Sequence, residues 1–364
     1  MDLDENRASV ERVAAMSNPY HGRPDYTFWR RAVAGRAPEE VDPVLDAPFH
    51  IGLQDRIATA GSCFAQHISR TLAARGYSYL VTEPEPDGGG ENYGVFPARF
   101  GNIYTTRQLL QTFDRAYGLF RPVDTVWTRE DGALVDPFRP QIQSGGFASQ
   151  AELEADRKRH LAAVRAMCED CDVFIFTLGL TEAWLSTRDG AAFPVAPGVS
   201  GGAPGPDYAF ANLDVNEMTA DLGDFLRKLR VVNPGVRVIL TVSPVPLIAT
   251  YEPRHVLVST SYSKAALRVT AEMVCREVAD VCYFPSYEII TGAHARSGFF
   301  EADLRSVTAG GVAQVMETFE RHFLTESAHA RAPGVPVQAR LSAEDEARLA
   351  ALADIVCDEE AIDP

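Results

Sequence analysis

Residues 55–69 read DRIATAGSCFAQHIS. Arg56–Ala60 predicts a short β-strand, and Phe64, Ile68 and Leu72 then recur every fourth residue, the spacing of a helix that ends at Gly76. Between strand and helix lies a sharp turn carrying Gly61, the hydroxyl of Ser62 and the thiol of Cys63. The imidazole of His67 follows one helical turn later. A strand, a tight turn and a helix in succession are the opening unit of a parallel α/β sheet.

The same alternation continues along the chain. YSYLVTEP (77–84) predicts a second strand, and 83–104, rich in Gly, Pro and aromatics, predicts a folded loop. TTRQLLQTFDRAYG (105–118) predicts a helix, and DTVWTREDGALVDPF (124–138) a hairpin turning at Asp131-Gly132. Ser149 and Glu152 form a capping-box pattern ahead of a long charged helix. DVFIFTLGL (172–180) is nearly unbroken apolar sequence, as suits a central parallel strand buried on both faces.

Residues 184–212 predict an excursion from the sheet. Val215, Met218, Leu222, Phe225, Leu226 and Leu229 mark an amphipathic helix, and VRVILTVSP (236–244) the next strand. A helix from about Ser261, a strand within VCYFPSYEII (281–290) and a helix from Thr308 complete the pattern. The expected fold is a three-layer α/β/α sandwich with a mainly parallel central sheet, loop insertions and a C-terminal helical appendage. The expected organisation is an extension at 1–50 packed on the core, a main domain at 51–328, and a connector, acidic helix and tail at 329–364. In such a sheet the site lies at the carboxyl ends of the strands.

Composition narrows the function. With 34 basic against 50 acidic residues and 46% apolar content in 364 residues, the chain has ample core and a net negative surface. That surface repels phosphate backbones, so no nucleic-acid partner is expected. No stretch approaches the ~18 apolar residues of a membrane span. The acidic start MDLDENRASVERVAAMSN lacks a secretory pattern, and the six cysteines follow no framework spacing, so a cytoplasmic location is expected. Cys168 and Cys171 have metal-like spacing but no second pair, and read as half-buried thiols rather than a zinc site.

TAGSCFAQHI (59–68) resembles the signature of the GSCFA family, within the larger group of SGNH/GDSL hydrolases. NPYHGRPDYTFWRRAV (18–33), NYGVFPARFGNIYTTRQ (92–108), TLGLTEAW (177–184), TVSPVPLIATY (241–251), VLVSTSYSKAALR (256–268) and VCYFPSYEII resemble family text in the expected order, over about residues 18 to 325. The resemblance implies a nucleophile at the first strand–helix turn. An ungapped match to the Gly-Asp-Ser-Leu pattern sets Gly61 on the glycine, Ser62 on the aspartate and Cys63 on the nucleophilic serine.

A thiol at a helix N-terminus is drawn toward thiolate from its usual ~8.5. Ser62 needs a strong external base and is the second choice. For the oxyanion, the resemblance sets Gly179–Glu182 on the Gly-x-Asn-Asp block, with Thr181 where Asn stands. Gly94 and Asn102 are the other expected donors. Where the family group carries Asp-x-x-His, this chain has Asp303 and Ser306, so an ordinary Ser-His-Asp triad is not available. His67, one turn beyond Cys63, and His255, in the loop before a helix, are the alternative bases, with His294 a third. His322 reads as structural.

Glu182 either orients the imidazole or serves as base itself. Lys264 and Arg305 could bind an anionic group, and Trp184 and Tyr93 suit sugar stacking. The expected function is an esterase or O-acyltransferase acting through an acyl-enzyme on Cys63 (or Ser62), on an acylated carbohydrate or polysaccharide precursor, with no metal or organic cofactor implied. The alternative is a non-catalytic protein holding a glycan or small ligand in the same cleft. A third reading, a subunit of an assembly, rests only on the acidic helix from Ser342.

Overall fold

Three runs with almost no charge, IATAG, VFIFTL and RVILTV, form the middle of one parallel sheet. The computed structural model describes residues 18–85, 91–325 and 361–362, with every side chain among them but that of Cys63. In chain order, β1 (Ile57–Gly61), α1 (Cys63–Ala74), α2 (Thr106–Ala116), β2 (Trp127–Thr128), β3 (Leu134–Val135) and α3 (Gln150–Asp170) come first. Then come β4 (Val173–Leu178), β5 (Glu182–Ser186), β6 (Ala192–Phe193), β7 (Tyr208–Asn212), α4 (Val215–Val232) and β8 (Arg237–Val242). Last are α5 (Val256–Glu277), β9 (Val281–Tyr283), α6 (Ser286–Thr291) and α7 (Ala309–Phe323).

The main sheet runs β1-β4-β8-β9, every pair parallel. Alternate residues of each strand feed opposite layers. Ala58, Ala60, Phe174, Phe176, Val238 and Leu240 pack under α2, α3, α4 and α5. Ile57, Val173, Ile175 and Ile239 pack under α1, α6 and α7. The fold is therefore a three-layer α/β/α sandwich. The segment before β1 joins the second layer: Ala47 and Ile51 are buried there, and Asp42 bonds both Arg321 (2.6 Å) and His322 (2.8 Å) of α7.

Several expectations change in detail. YSYLVTEP contributes a single bridge, in which the Ile57 amide donates to Ser78 O and the Leu80 amide to Ile57 O. The chain then leaves the sheet, because the Thr82 and Glu83 amides donate to the Pro97 carbonyl instead. The excursion after β4 contains a second sheet, antiparallel, in the order β6-β5-β7. VCYFPSYEII is strand only at its first three residues; beyond Pro285 it turns into α6, whose Ser286 hydroxyl is buried against Thr241 (2.6 Å). α5 starts at Val256, five residues before Ser261, because His255 caps it. The C-terminal connector and acidic helix lie outside the described residues.

α1 stops as its sequence dictates. Gly76 takes φ +79°, its amide donates to Ala73 O, and the Tyr77 amide returns to Leu72 O, the paired bonds of a Schellman cap. Gly61 answers a different demand. Its φ is +142°, and a Cβ there would lie 2.4 Å from the Thr177 carbonyl oxygen and 2.7 Å from the Thr177 Cβ. The two glycines make a controlled pair. Gly61→Ala is expected to lose about 3 kcal/mol or more of unfolding free energy, or not to accumulate as folded protein. Gly76→Ala, with nothing within 4 Å of the new methyl, is expected to lose only about 1–2 kcal/mol, from the strained φ alone. Urea unfolding of both variants checks the order.

Candidate functional site

With the Ser78–Leu80 bridge on the outer edge of β1, the spatial order is 79-segment, β1, β4, β8, β9. The chain goes one way from β1, through α1, and the other way from the edge bridge, through α2 and α3, to β4. Strand order reverses between β1 and β4, the place in a parallel sheet where ligands ordinarily bind, outside the carboxyl ends of the strands. That is where Gly61-Ser62-Cys63 and Gly179-Leu180-Thr181 sit.

Three segments close on this point. A Cβ on Gly179 would lie 3.2 Å from the Ser62 Cβ and 3.2 Å from the Tyr104 carbonyl oxygen, so a glycine lets the three segments meet without displacing a neighbour by a few tenths of an ångström. The Gly179 and Leu180 amides both donate to Tyr104 O, and the Ile103 amide donates to Gly61 O. α5 comes over the top: the Ser263 hydroxyl accepts from the Thr181 amide (3.2 Å), and Lys264 Nζ donates to Gly179 O at 2.8 Å. Lys264 is 2% exposed, so a buried ammonium stands beside the turn rather than the solvated charge common for lysine.

The hydroxyls at this point are unusual. Ser62 occupies the N-cap position of α1 but makes no capping bond. Its Oγ is buried and unpartnered, as are Thr177 Oγ1 and Thr181 Oγ1, and Gln66 Oε1 on the next turn of α1. Buried polar groups are ordinarily paired, and each orphan costs about 1–3 kcal/mol. Four in one place argue for a site built to meet something else.

The other expected residues divide. Asn102 is buried at the same point, its Oδ1 accepting from Gln66 Nε2 (3.2 Å), and it lines both small clefts flanking the loop. His67 is half-buried beside Phe64, ring centroids 5.7 Å apart. Burial, with the Arg70 charge, pulls its pKa from 6.5 to about 4, so it is neutral at pH 7. The Cys63 thiol lies outside the described side chains. His255 is exposed, and its Nδ1 accepts from the Leu257 amide (3.1 Å), a capping bond.

Glu182 is spent on the 250–252 loop, accepting from the Thr250 hydroxyl (2.5 Å) and the Tyr251 amide (3.1 Å). Gly94 is exposed with φ +76°, and a Cβ there would meet nothing within 4 Å. Trp184 packs edge-on to Tyr251 (4.8 Å) and Phe210 (6.1 Å) on the small sheet. Tyr93 lies under the Arg99 guanidinium (3.9 Å) and accepts from it. Ser306 closes a local turn, its hydroxyl donating to Asp303 at 2.6 Å. His294 is half-buried beside α6, bonded to the Ile289 backbone.

The loop that carries Asn102 is held by charge. Arg99, 1% exposed, donates to the Glu91 and Ile142 carbonyls and to Asp156. Arg139 joins Asp136 (3.1 Å) to Asp156 (2.8 Å), and Glu83 bonds His160 Nδ1 (3.0 Å). Burial opposes ionisation of Asp136, but Arg139, Arg157 and Arg115 override it and hold the carboxyl far below its ordinary range. Nothing in the sequence flagged this network, because its members come from four separate segments. Ser263 and Gln66 carry no sequence signal either, whereas Lys264 is among the residues expected to bind an anion; the visible hint is Thr177 and Thr241 interrupting otherwise apolar strands.

Cys168 and Cys171 are fully buried rather than half-buried (2% and 1%), and burial raises both thiol pKa values. Burial likewise pushes Cys275 to about 11 and Cys282 to about 12. Among the described residues no group of His, Cys, Asp and Glu could hold a metal ion, and no helix is long and apolar enough to cross a membrane.

A strand–turn–helix with an orphaned hydroxyl at the switch point of a parallel sheet makes this an α/β/α protein whose candidate site is the first turn. The chain belongs to the GSCFA family, whose pattern it matches over residues 56–319, well over half its length. No curated protein and no solved structure matches it.

Acid should expose the buried imidazoles. Burial, aided by Arg139 and opposed by the Glu83 bond, lowers His160 to about 4, like His67. Between pH 6.5 and about 4 the unfolded chain takes up protons that both folded histidines refuse, so stability falls as pH drops. The urea midpoint is expected to be lower at pH 5 than at pH 7, and the difference smaller in His67→Gln. An equal difference in that variant would remove His67 from the account.

Proposed function

We propose that the protein is an acyl hydrolase or O-acyltransferase of the SGNH/GDSL type, forming a covalent acyl-enzyme on Cys63, with Ser62 as the alternative nucleophile. The observation that carries this reading is the set of buried, unpartnered donors at the turn: the Ser62 and Thr181 hydroxyls, beside an uncapped helix N-terminus and the buried Lys264 ammonium. Donors without an acceptor in the resting protein suit a charge that exists only during reaction, the oxyanion of a tetrahedral intermediate. A cation and a helix N-terminus near the turn also favour the anionic form of a nucleophile there.

The chemistry follows in two steps. The Cys63 sulfur attacks the ester carbonyl and the leaving alkoxide takes a proton. Water or a sugar hydroxyl then attacks the thioester and releases the thiol. His67, neutral and one helical turn from Cys63, is the favoured proton carrier, since His255 caps α5 and Glu182 is engaged by the 250–252 loop. Its low pKa makes it a weak base, which suits a thiol better than a hydroxyl. Acylated carbohydrate as substrate rests on the family group's habits, and a cytoplasmic setting on the unpaired thiols.

The non-catalytic reading is favoured by one observation: the usual His position is Ser306, closed on Asp303 in an exposed turn. Intact-mass analysis after p-nitrophenyl acetate separates the two. An acetyl adduct on the peptide containing Cys63, retained in Ser62→Ala and lost in Cys63→Ala, is expected. Lys264→Met is expected to slow acetylation on the order of a hundredfold. Absence of any adduct on that peptide, with iodoacetamide also failing to label it, would leave the glycan-binding reading.

A further inference from the structure

Arg115, near the C-terminal end of α2, is 9% exposed and faces the small cleft formed by Phe100, Asn102, Thr112 and Phe138. Its guanidinium carbon lies over the Phe138 ring, 4.0 Å from the centroid. Nη2 reaches the Thr112 hydroxyl at 3.4 Å, and the buried Nε has no partner. No carboxylate among the described residues lies within ion-pair distance of it. Asp136, the acid that attracts it through space, is already divided between Arg139 and Arg157, at 3.1 Å each.

A buried guanidinium with an idle donor and no carboxylate bonded to it is expensive, unlike its neighbours Arg99 and Arg139, which are satisfied on several sides. Burial lowers the Arg115 pKa to about 10, with Asp136 pulling up and Arg139 and Arg157 pulling down, so the charge persists at neutral pH. The aromatic ring covers one side of the guanidinium, and the unpartnered Nε suits a planar or tetrahedral oxyanion.

We propose that this cleft receives a small anionic group, a carboxylate or a phosphate, whose oxygens complete the Arg115 guanidinium. The cleft is too small for a whole substrate, and its floor leads to the strand–helix turn: Asn102 is bonded to Gln66 of α1, and the Ile103 amide to Gly61 O. If the acyl-transfer reading holds, on which this extension rests, the molecule worked on at Ser62-Cys63 carries its negative charge on the side toward α2.

The test uses the full chain and reads melting temperature in sodium phosphate and in sodium acetate, each against sodium chloride at matched ionic strength. A gain that climbs with the logarithm of anion concentration is expected for the native protein. The apparent Kd is expected to be at least tenfold weaker in Arg115→Gln. Response to phosphate alone assigns a phosphate, response to acetate alone a carboxylate, and response to both their shared oxyanion chemistry. Should Arg115→Gln not fold, Arg115→Lys decides, because it keeps the charge and loses the fork; the Kd must still weaken several-fold. No gain over chloride, or an equal gain in the variant, overturns the proposal. Acetylation at Cys63 is scored separately, so an anion response without an adduct sinks the acyl reading and spares the cleft.

Discussion

β1 and β4 approach so closely at Gly61 and Thr177 that the space a methyl group would need is already filled by carbonyl and side chain. That contact sets the carboxyl ends of the two strands level. Ser62 then lands against Gly179, and Gly179 against Tyr104, junctions tight enough that a larger residue would have to push its neighbour aside. With the sheet order reversing here, the loops after β1 and β4 diverge to opposite layers and leave the turn at the switch point between them. The amides of Ile103, Gly179 and Leu180 are used to tie the three segments together. What remains for chemistry is therefore hydroxyls, the start of α1 and one buried ammonium.

The second support is electrostatic. Residues 91–105 have no strand or helix of their own before α2, yet Asn102 and Tyr104 must be placed to a fraction of an ångström. Arg99 does this by satisfying carbonyls from two segments and a carboxylate from a third. Such a network stabilises little relative to a hydrophobic replacement, but breaking one partner strands the others, which makes the loop conformation all-or-none. The same crowd of arginines leaves Arg115 without an acid to itself.

How much of this was legible follows from the range of the signals. DVFIFTL and RVILTV announce buried strands in any context, and the four-residue spacing of Phe64, Ile68 and Leu72 announces α1. Gly61 in a strand–helix turn could be read as a special position, and its reason, the Thr177 contact, is 116 residues away. The edge bridge at Tyr79 was overestimated as a strand because Ser78–Val81 has strand composition while the next amides are claimed by Pro97. α6 was hidden by the aromatic and β-branched residues around Pro285. Lys264 has the charge to bind an anion, but its burial is not legible, since nothing local tells that α5 crosses the end of β4. Glu182 and His255 had the right chemistry for catalysis, yet local hydrogen bonds, to Thr250 and to the Leu257 amide, employ them in holding a loop and starting a helix.

The four described thiols carry a consequence for how the protein meets oxidants. Peroxides and other electrophiles react with thiolate, and Cys168, Cys171, Cys275 and Cys282 all have burial as the leading cause of raised pKa values. At neutral pH these four thiols thus offer almost no sulfenic-acid chemistry.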